Sequence, residues 1–498
     1  MIIKDADRHL YRIGLQLDRQ SPTYKRNAIH NPWLIWLIGM VYSVYAPIMV
    51  DMKYILNTSM RWVSLFTTFE TSGFILGTVV TFLYKYVSRQ LVMSIFFTLL
   101  TIASAVIPLV PHLYVLYLCA FAIGISSSVF VCAVSMWIIE LGRGGKVPIV
   151  QIFELSFGIG SILSTVALKP YLIGETSTSP THTKSNQTFY DFNRNEELVI
   201  DEEVVIDRRS RLMKPTLIIG SCIIIIPISL LAMYVMRPYK EPKEKGSDDD
   251  NDNNNINERT GMSTATTDIK LFDRKETPRK TIRLLFALFY AMYLIYETVF
   301  MKFAVTYFQY SPLKLSAERS AEIYSVAISV YTAGLGLNIL YPYKFQIKTI
   351  ISFHYVFLIG GSVMLIPARN SLSFLWCSTI LTCMGFSAMY SGILSIAEQY
   401  LDMTNRLSAL FLLFRGILTL VTPFIVGNYI EDNSSIFIIM EFIYLGVSLV
   451  LFITIDIMIR RFRHLSTVDN NSNKHQVMRQ LRSNSQPNDM RRLSVISH

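Results

Sequence analysis

The sequence predicts an all-α membrane protein: twelve transmembrane helices in two pseudo-symmetric six-helix bundles. Three observations carry that expectation. The composition is 51% hydrophobic and only 16% charged, whereas soluble domains carry roughly 25% charged residues. Apolar runs of the ~20 residues needed to cross a bilayer recur along the chain. A long hydrophilic stretch divides those runs six and six.

The first six runs lie near 33–51, 62–84, 91–110, 113–139, 147–170 and 215–236, and the second six near 282–305, 320–341, 349–367, 372–397, 407–428 and 436–459. The domain plan follows. Residues 1–30 form a cytoplasmic N-terminal segment, 31–236 the first bundle (with an outer loop at 171–214), and 237–280 a cytoplasmic linker. Residues 281–460 form the second bundle, and 461–498 a cytoplasmic tail. DDDNDNNNIN in the linker cannot bury enough apolar surface to order itself, so disorder is expected there and in the Ser-, Asn- and Arg-rich tail. The first 30 residues hold no apolar core, so the first helix is expected to act as its own insertion signal.

The net charge of +10 does not indicate a nucleic-acid partner, because the bases lie mainly in loops and tails. The five cysteines fall inside apolar runs, without metal-ligand spacing, so neither a disulfide framework nor a metal site is expected. No nucleophile–base arrangement or phosphate loop stands out, and an enzyme is not expected.

Lys/Arg placement sets the orientation. With the N-terminus inside, the short cytoplasmic loops hold Lys85 and Arg89, Arg143 and Lys146, Lys344 and Lys348, and Arg406; the last outer loop holds Glu431 and Asp432 and no base. Glycosylation sequons at Asn57, Asn186 and Asn433 all fall in loops expected to face outward. Both termini are therefore expected in the cytoplasm, with the plasma membrane as the site.

The halves repeat. Tyr42 aligns with Tyr293, Tyr45 with Tyr296, Asp51 with Lys302, Gly73 and Gly77 with Gly334 and Gly336, Glu140 with Glu398, and Phe153-Glu154 with Phe414-Arg415. The offsets cluster between 251 and 261 residues. Parallel six-helix halves of this kind are the major facilitator plan.

A more specific likeness sits in helix 5, PIVQIFELSFGIGS, from Pro148 to Ser161. It resembles the signature of the sodium-dependent glucose transporter type (major facilitator domain-containing protein 4-like, related to fucose permeases). Pro148, Gln151, Phe157, Gly158 and Gly160 match; Glu154 stands where that family usually has histidine. YETVF around Glu297 and SAERSAEIYSVAIS also look like family stretches. Two features depart. Helix 4, GISSSVFVCAVSMW, lacks the family's Asp and Asn, and Lys85 and Ser88 replace the Asp and Gly of the loop after helix 2. The resemblance implies alternating-access transport of a small polar solute, a monosaccharide first, by a monomer with a sodium ion or proton as coupling ion and no other cofactor. The departures motivate the alternative, a non-transporting solute sensor or scaffold on the same fold.

Charges inside hydrocarbon face the bundle interior or a water-filled cavity. On that ground Tyr42, Tyr45, Gln151, Glu154, Tyr293, Glu297 and Trp137 are the candidate solute-binding residues. Each has a structural alternative, packing for the tyrosines and an interhelical bond for the acids. Glu70 and Arg415 are candidate coupling or gating residues. Arg415 needs a carboxylate or water; repeat symmetry suggests Glu154 as its partner, and a buried pair with Arg415 or another helix is the structural alternative for Glu70. Glu140, Arg143, Glu398 and Arg406 are expected to latch the halves at their cytoplasmic ends in the outward-open state. Asp51 and Lys302 are expected to snorkel at outer ends, Asp456–Arg460 to pair at i,i+4, and His354 to pack.

Overall fold

The computed structural model describes residues 22–81, 84, 86–141, 147–175, 202–236, 276–341, 344–401 and 405–484. They fold into twelve helical rods. The first half comprises α1 (Pro22–Ile55), α2 (Met60–Val80), α3 (Arg89–Val106), α4 (Leu113–Leu141), α5 (Val147–Leu168) and α6 (Glu202–Ile223 continued by Ile225–Met236). The second comprises α7 (Glu276–Tyr310), α8 (Ala317–Asn338), α9 (Ile347–Leu365), α10 (Leu372–Phe386 continued by Met389–Tyr400), α11 (Asn405–Thr419 continued by Thr422–Tyr429) and α12 (Ser435–Asn484). Among the described residues ten helices are long and apolar enough to cross a membrane; α1 and α8 are the two rods outside that set.

Two of the interruptions have a common cause. A proline ring clashes with the carbonyl four residues back. Pro227 would strike Ile223 and Pro423 would strike Thr419, and those are the residues where the first pieces of α6 and α11 stop. Pro47 leaves α1 continuous. Where a disordered tail is expected after 460, α12 instead continues to Asn484. Residues 461–484 contain neither Gly nor Pro and are rich in helix formers (Arg, Gln, Leu, Met), so nothing local stops the helix. The linker from 237 to 275 and the segment 485–498 lie outside the described residues.

Within the first half α1 packs on α5, and α2 on α4; in the second, α7 packs on α11, and α8 on α10. These are repeat-related pairs. The halves meet along α2–α11 and α5–α8, again a repeat-related pair, and along α1–α7. Glycine permits the closest approaches. A Cβ on Gly73 or Gly124 would run into the backbone of the opposite helix in the α2–α4 pair, at Phe121 and Glu70 respectively. Gly73 and Gly77 thus serve packing within one half, as their spacing predicts. All five cysteines are free.

Candidate functional site

Midway along the helices, a set of polar side chains converges on the seam between the halves. Glu154 comes from α5 of the first half; Glu297 (α7) and Arg415 (α11) come from the second. All three are half-buried rather than sealed. Glu297 lies among the Tyr293 and Tyr331 hydroxyls and feels the charge of Arg415. Glu154 feels Glu297 and is flanked by Tyr293, Tyr331 and Tyr390. Tyr290 packs against Tyr390, with centroids 6.1 Å apart, and Tyr42 tilts against Phe157 at 5.8 Å. The result is two carboxylates and one guanidinium within a wall of phenols. Such a wall offers apolar ring faces together with hydroxyl tips.

Two candidates prove to be framework. Tyr45 is buried, stacks on Phe66 at 3.6 Å and donates to the Val63 carbonyl at 2.7 Å. Gln151 is buried and bonds across the seam to Ser391 of α10, leaving its Oε1 without a partner. Tyr293 is intermediate: its hydroxyl reaches the Phe386 carbonyl at 3.3 Å, yet its ring lies beside Glu297. The side chains of Trp137, Glu140 and Arg406, and the whole of Arg143, lie outside the described residues, as does Asn186. Glu398 is half-buried. Asn57 and Asn433 are exposed in loops at one end of the bundle.

The Arg415 pairing does not form. No carboxylate lies within ion-pair distance of Arg415 among the described residues; its guanidinium instead sits over the Phe74 ring at 5.2 Å. Glu70 is already taken. Lys302 of α7 reaches across the seam and holds both of its carboxylate oxygens, at 3.0 and 3.2 Å. Lys302 therefore does not snorkel to a membrane surface. Asp51 does not either. It is 1% exposed, accepts the Ile173 and Gly174 amides at 3.3 and 2.9 Å, and meets Arg208 at 2.6 Å. Depth along a helix set the wrong expectation, because partners from neighbouring helices decide where a long side chain goes.

The halves are bridged at the end carrying the 56–59, 311–316 and 431–434 loops, opposite to the expected latch. Lys53 of α1 contacts Glu431 at 2.7 Å, the Tyr310 hydroxyl at 3.0 Å and Glu175 at 3.6 Å. The Tyr54 and Tyr310 hydroxyls both donate to Glu175, at 2.8 and 2.6 Å, and the Glu175 amide donates to Gln309. Glu431 also accepts the Met60 amide at 3.2 Å.

Other expectations hold. Asp456 pairs with Arg460 at 2.7 Å and gains Lys348 at 2.6 Å. His354 is buried, with Nδ1 3.1 Å from the Met384 and Gly385 carbonyls. Sequence reasoning missed Tyr290, Tyr331 and Tyr390, which looked like ordinary apolar-run tyrosines. It also missed Glu441, 1% exposed in α12 with a carboxylate oxygen lacking a partner. The same scan for charges in apolar runs would have found it, in IIMEFIY.

The comparisons with known proteins bear on this architecture. The Major Facilitator Superfamily profile matches residues 33–423. The chain belongs to the major facilitator superfamily. It is a multi-pass integral membrane protein and a transporter by family. Mouse sodium-dependent glucose transporter 1A is 20% identical over 395 residues, covering 78% of this chain and 86% of that one. Among solved structures, the E. coli fucose:proton symporter aligns with a TM-score of 0.55 at 14% identity, over 86% of this chain and 99% of that chain. The nucleoside transporter NupG gives 0.55 at 13% identity, over 86% and 99%. A bacterial homologue of the human lysosomal transporter Spinster gives 0.57 at 11%, over 89% and 97%. At these identities the structural likenesses speak for the transporter's fold.

Proposed function

We propose that the transporter carries a small neutral polyhydroxylated solute, a monosaccharide in the first instance, coupled to a proton or a sodium ion. The observation that carries this is the wall of tyrosines around Glu154, Glu297 and Arg415 at the seam. Hydroxyl-rich solutes stack their apolar faces on aromatic rings and bond to carboxylates and guanidinium at their edges. The names of two relatives, a sodium-dependent glucose transporter and a fucose:proton symporter, support the same class. Function requires two arrangements of the halves whose balance the solute shifts. The bridged end, expected to face outward from the Lys/Arg distribution, is then the closed side.

The decisive experiment is uptake by purified transporter in proteoliposomes, with a panel of monosaccharides, under sodium or proton gradients applied separately. Saturable uptake is expected, with at least a tenfold loss in Glu297→Gln. Binding without flux would favour the sensor reading, and saturable flux that Glu297→Gln leaves intact would remove Glu297 from the site.

A further inference from the structure

The Glu70–Lys302 pair spans the seam. Glu70 stands on α2 of the first half and Lys302 on α7 of the second, with the two side chains only 10% and 12% exposed. The contacts recorded for the Lys302 ammonium all come from the first half: both Glu70 oxygens, the Tyr42 ring at 5.4 Å and the Tyr45 ring at 6.0 Å. One turn before Glu70 on the same face, Thr67 is buried with a hydroxyl oxygen that has no hydrogen-bond partner. The titratable and charged groups facing Glu70 are Tyr42 and Tyr45 from α1, Lys302 from α7 and, one turn further along its own helix at Phe74, Arg415 from α11. The α4 helix packs against the Glu70 backbone at Gly124 and offers tyrosines, cysteines and serines but no charge among residues 113–133.

We propose that Glu70 is a binding site for a monovalent cation, a proton or a sodium ion, and that Lys302 is the built-in cation that occupies it when the transporter is empty. This rests on the transport reading above. A carboxylate that stays ionised in the closed seam needs a counter-charge. Any motion that parts the halves at this level separates the pair, and entering water solvates both groups. Closing again requires Glu70 to be neutralised once more. The empty transporter does so with Lys302. A solute lying in the opened seam between Lys302 and Glu70 keeps the ammonium from crossing, and its hydroxyl oxygens accept the ammonium's hydrogen bonds. The loaded transporter then closes only with an external cation on Glu70. A proton converts the carboxylate to a neutral acid; a sodium ion takes the carboxylate oxygens together with the Thr67 hydroxyl. Lys302 keeps its own charge throughout, bonded to Glu70 in the empty transporter and to the solute's oxygens in the loaded one.

The test needs no knowledge of the solute. Lys302→Ala and Lys302→Met remove the internal cation and should leave Glu70 dependent on an external one. Thermal unfolding of the purified, solute-free protein is followed in two arms: sodium chloride against choline chloride at equal ionic strength, and acidification without sodium. The midpoint of the Lys302 variants should rise by several degrees in one arm, which identifies the cation. The rise should vanish when Glu70→Gln is added. Variants that fold only when sodium or acid is supplied give the same result in stronger form. The proposal is overturned if the Lys302 variants respond no differently from the Glu70→Gln/Lys302→Ala double variant in both arms. It is equally overturned if they stay unfolded in both arms while the double variant folds. Because no flux is read, failure here is distinct from failure of the transport reading, which the uptake assay decides.

Discussion

Asp51 shows at the scale of a residue how a charge is kept inside a helical bundle. Its carboxylate takes two backbone amides from the turn after α5 and the Arg208 guanidinium. Arg208 in turn donates to the Gly174 carbonyl at 2.8 Å and lies over the Tyr54 ring at 4.1 Å, with Nε and Nη2 lacking partners. The arginine is 1% exposed. Removing the acid alone leaves a buried cation with one carbonyl and a ring face. Loss of one partner of a buried pair costs about 3–5 kcal/mol. Asp51→Ala should therefore unfold at a clearly lower temperature than wild type, whereas Asp51→Leu combined with Arg208→Met should recover most of the loss. A thermal unfolding series of the three variants checks this; an Asp51→Ala midpoint equal to wild type would mean the pair contributes nothing. The sequence marked Asp51 and Lys302 as charges in apolar helices, and both proved to be buried ion-pair members. What it could not supply was the partner, because Arg208 lies 157 and Glu70 232 positions away along the chain.

At the scale of elements, the seam between α5 and α8 has almost no room. A Cβ on Gly158 would press on the Thr332 side chain across the halves, while a Cβ on Gly446 of α12 meets nothing within 4 Å. Forcing extra atoms into a packed contact costs about 1–3 kcal/mol. Gly158→Val should cut uptake at least tenfold while the protein is still made and inserted, and Gly446→Val should leave uptake near wild type. Equal rates in the two variants would show that α5 and α8 do not need this contact. Element limits were legible where local chemistry sets them. Pro227 and Pro423 each stop a helix four residues earlier. The extension of α12 to Asn484 is not legible in composition, because its polar residues match those of a disordered tail. Composition reports the lack of a buried face, whereas helix continuation depends on the absence of Gly and Pro.

Across the whole molecule, the two halves are locked at one end by a network centred on Lys53. That residue touches Glu431 and Tyr310 of the second half and Glu175 of the first. Close to it, Ser64 of α2 is fully buried against Gly427 of α11. Lys53→Ala should loosen this end. In a background carrying Ser64→Cys, labelling by a membrane-impermeant thiol reagent from that side should rise several-fold over the same background with Lys53 intact. Unchanged labelling would show that the packing of α2 on α11 holds the end shut without the charges. The latch expected at the other end in the outward-open state rests on Glu140, Arg143, Glu398 and Arg406, of which only the Glu398 side chain lies among the described residues.

By itself the sequence determined what depends on local pattern: the apolar runs, the six-plus-six division, the repeat, and the acids and arginine that had to face inward. Hydrocarbon solvation and helix geometry act over one or two turns, so a single stretch of chain records them. Which charges meet was decided only by the tertiary structure. Glu70 with Lys302, Asp51 with Arg208, and the phenols of Tyr290, Tyr331 and Tyr390 around Glu154 and Glu297 are brought together by helices far apart in sequence. Their meeting is a property of how two halves pack, and no local segment encodes it.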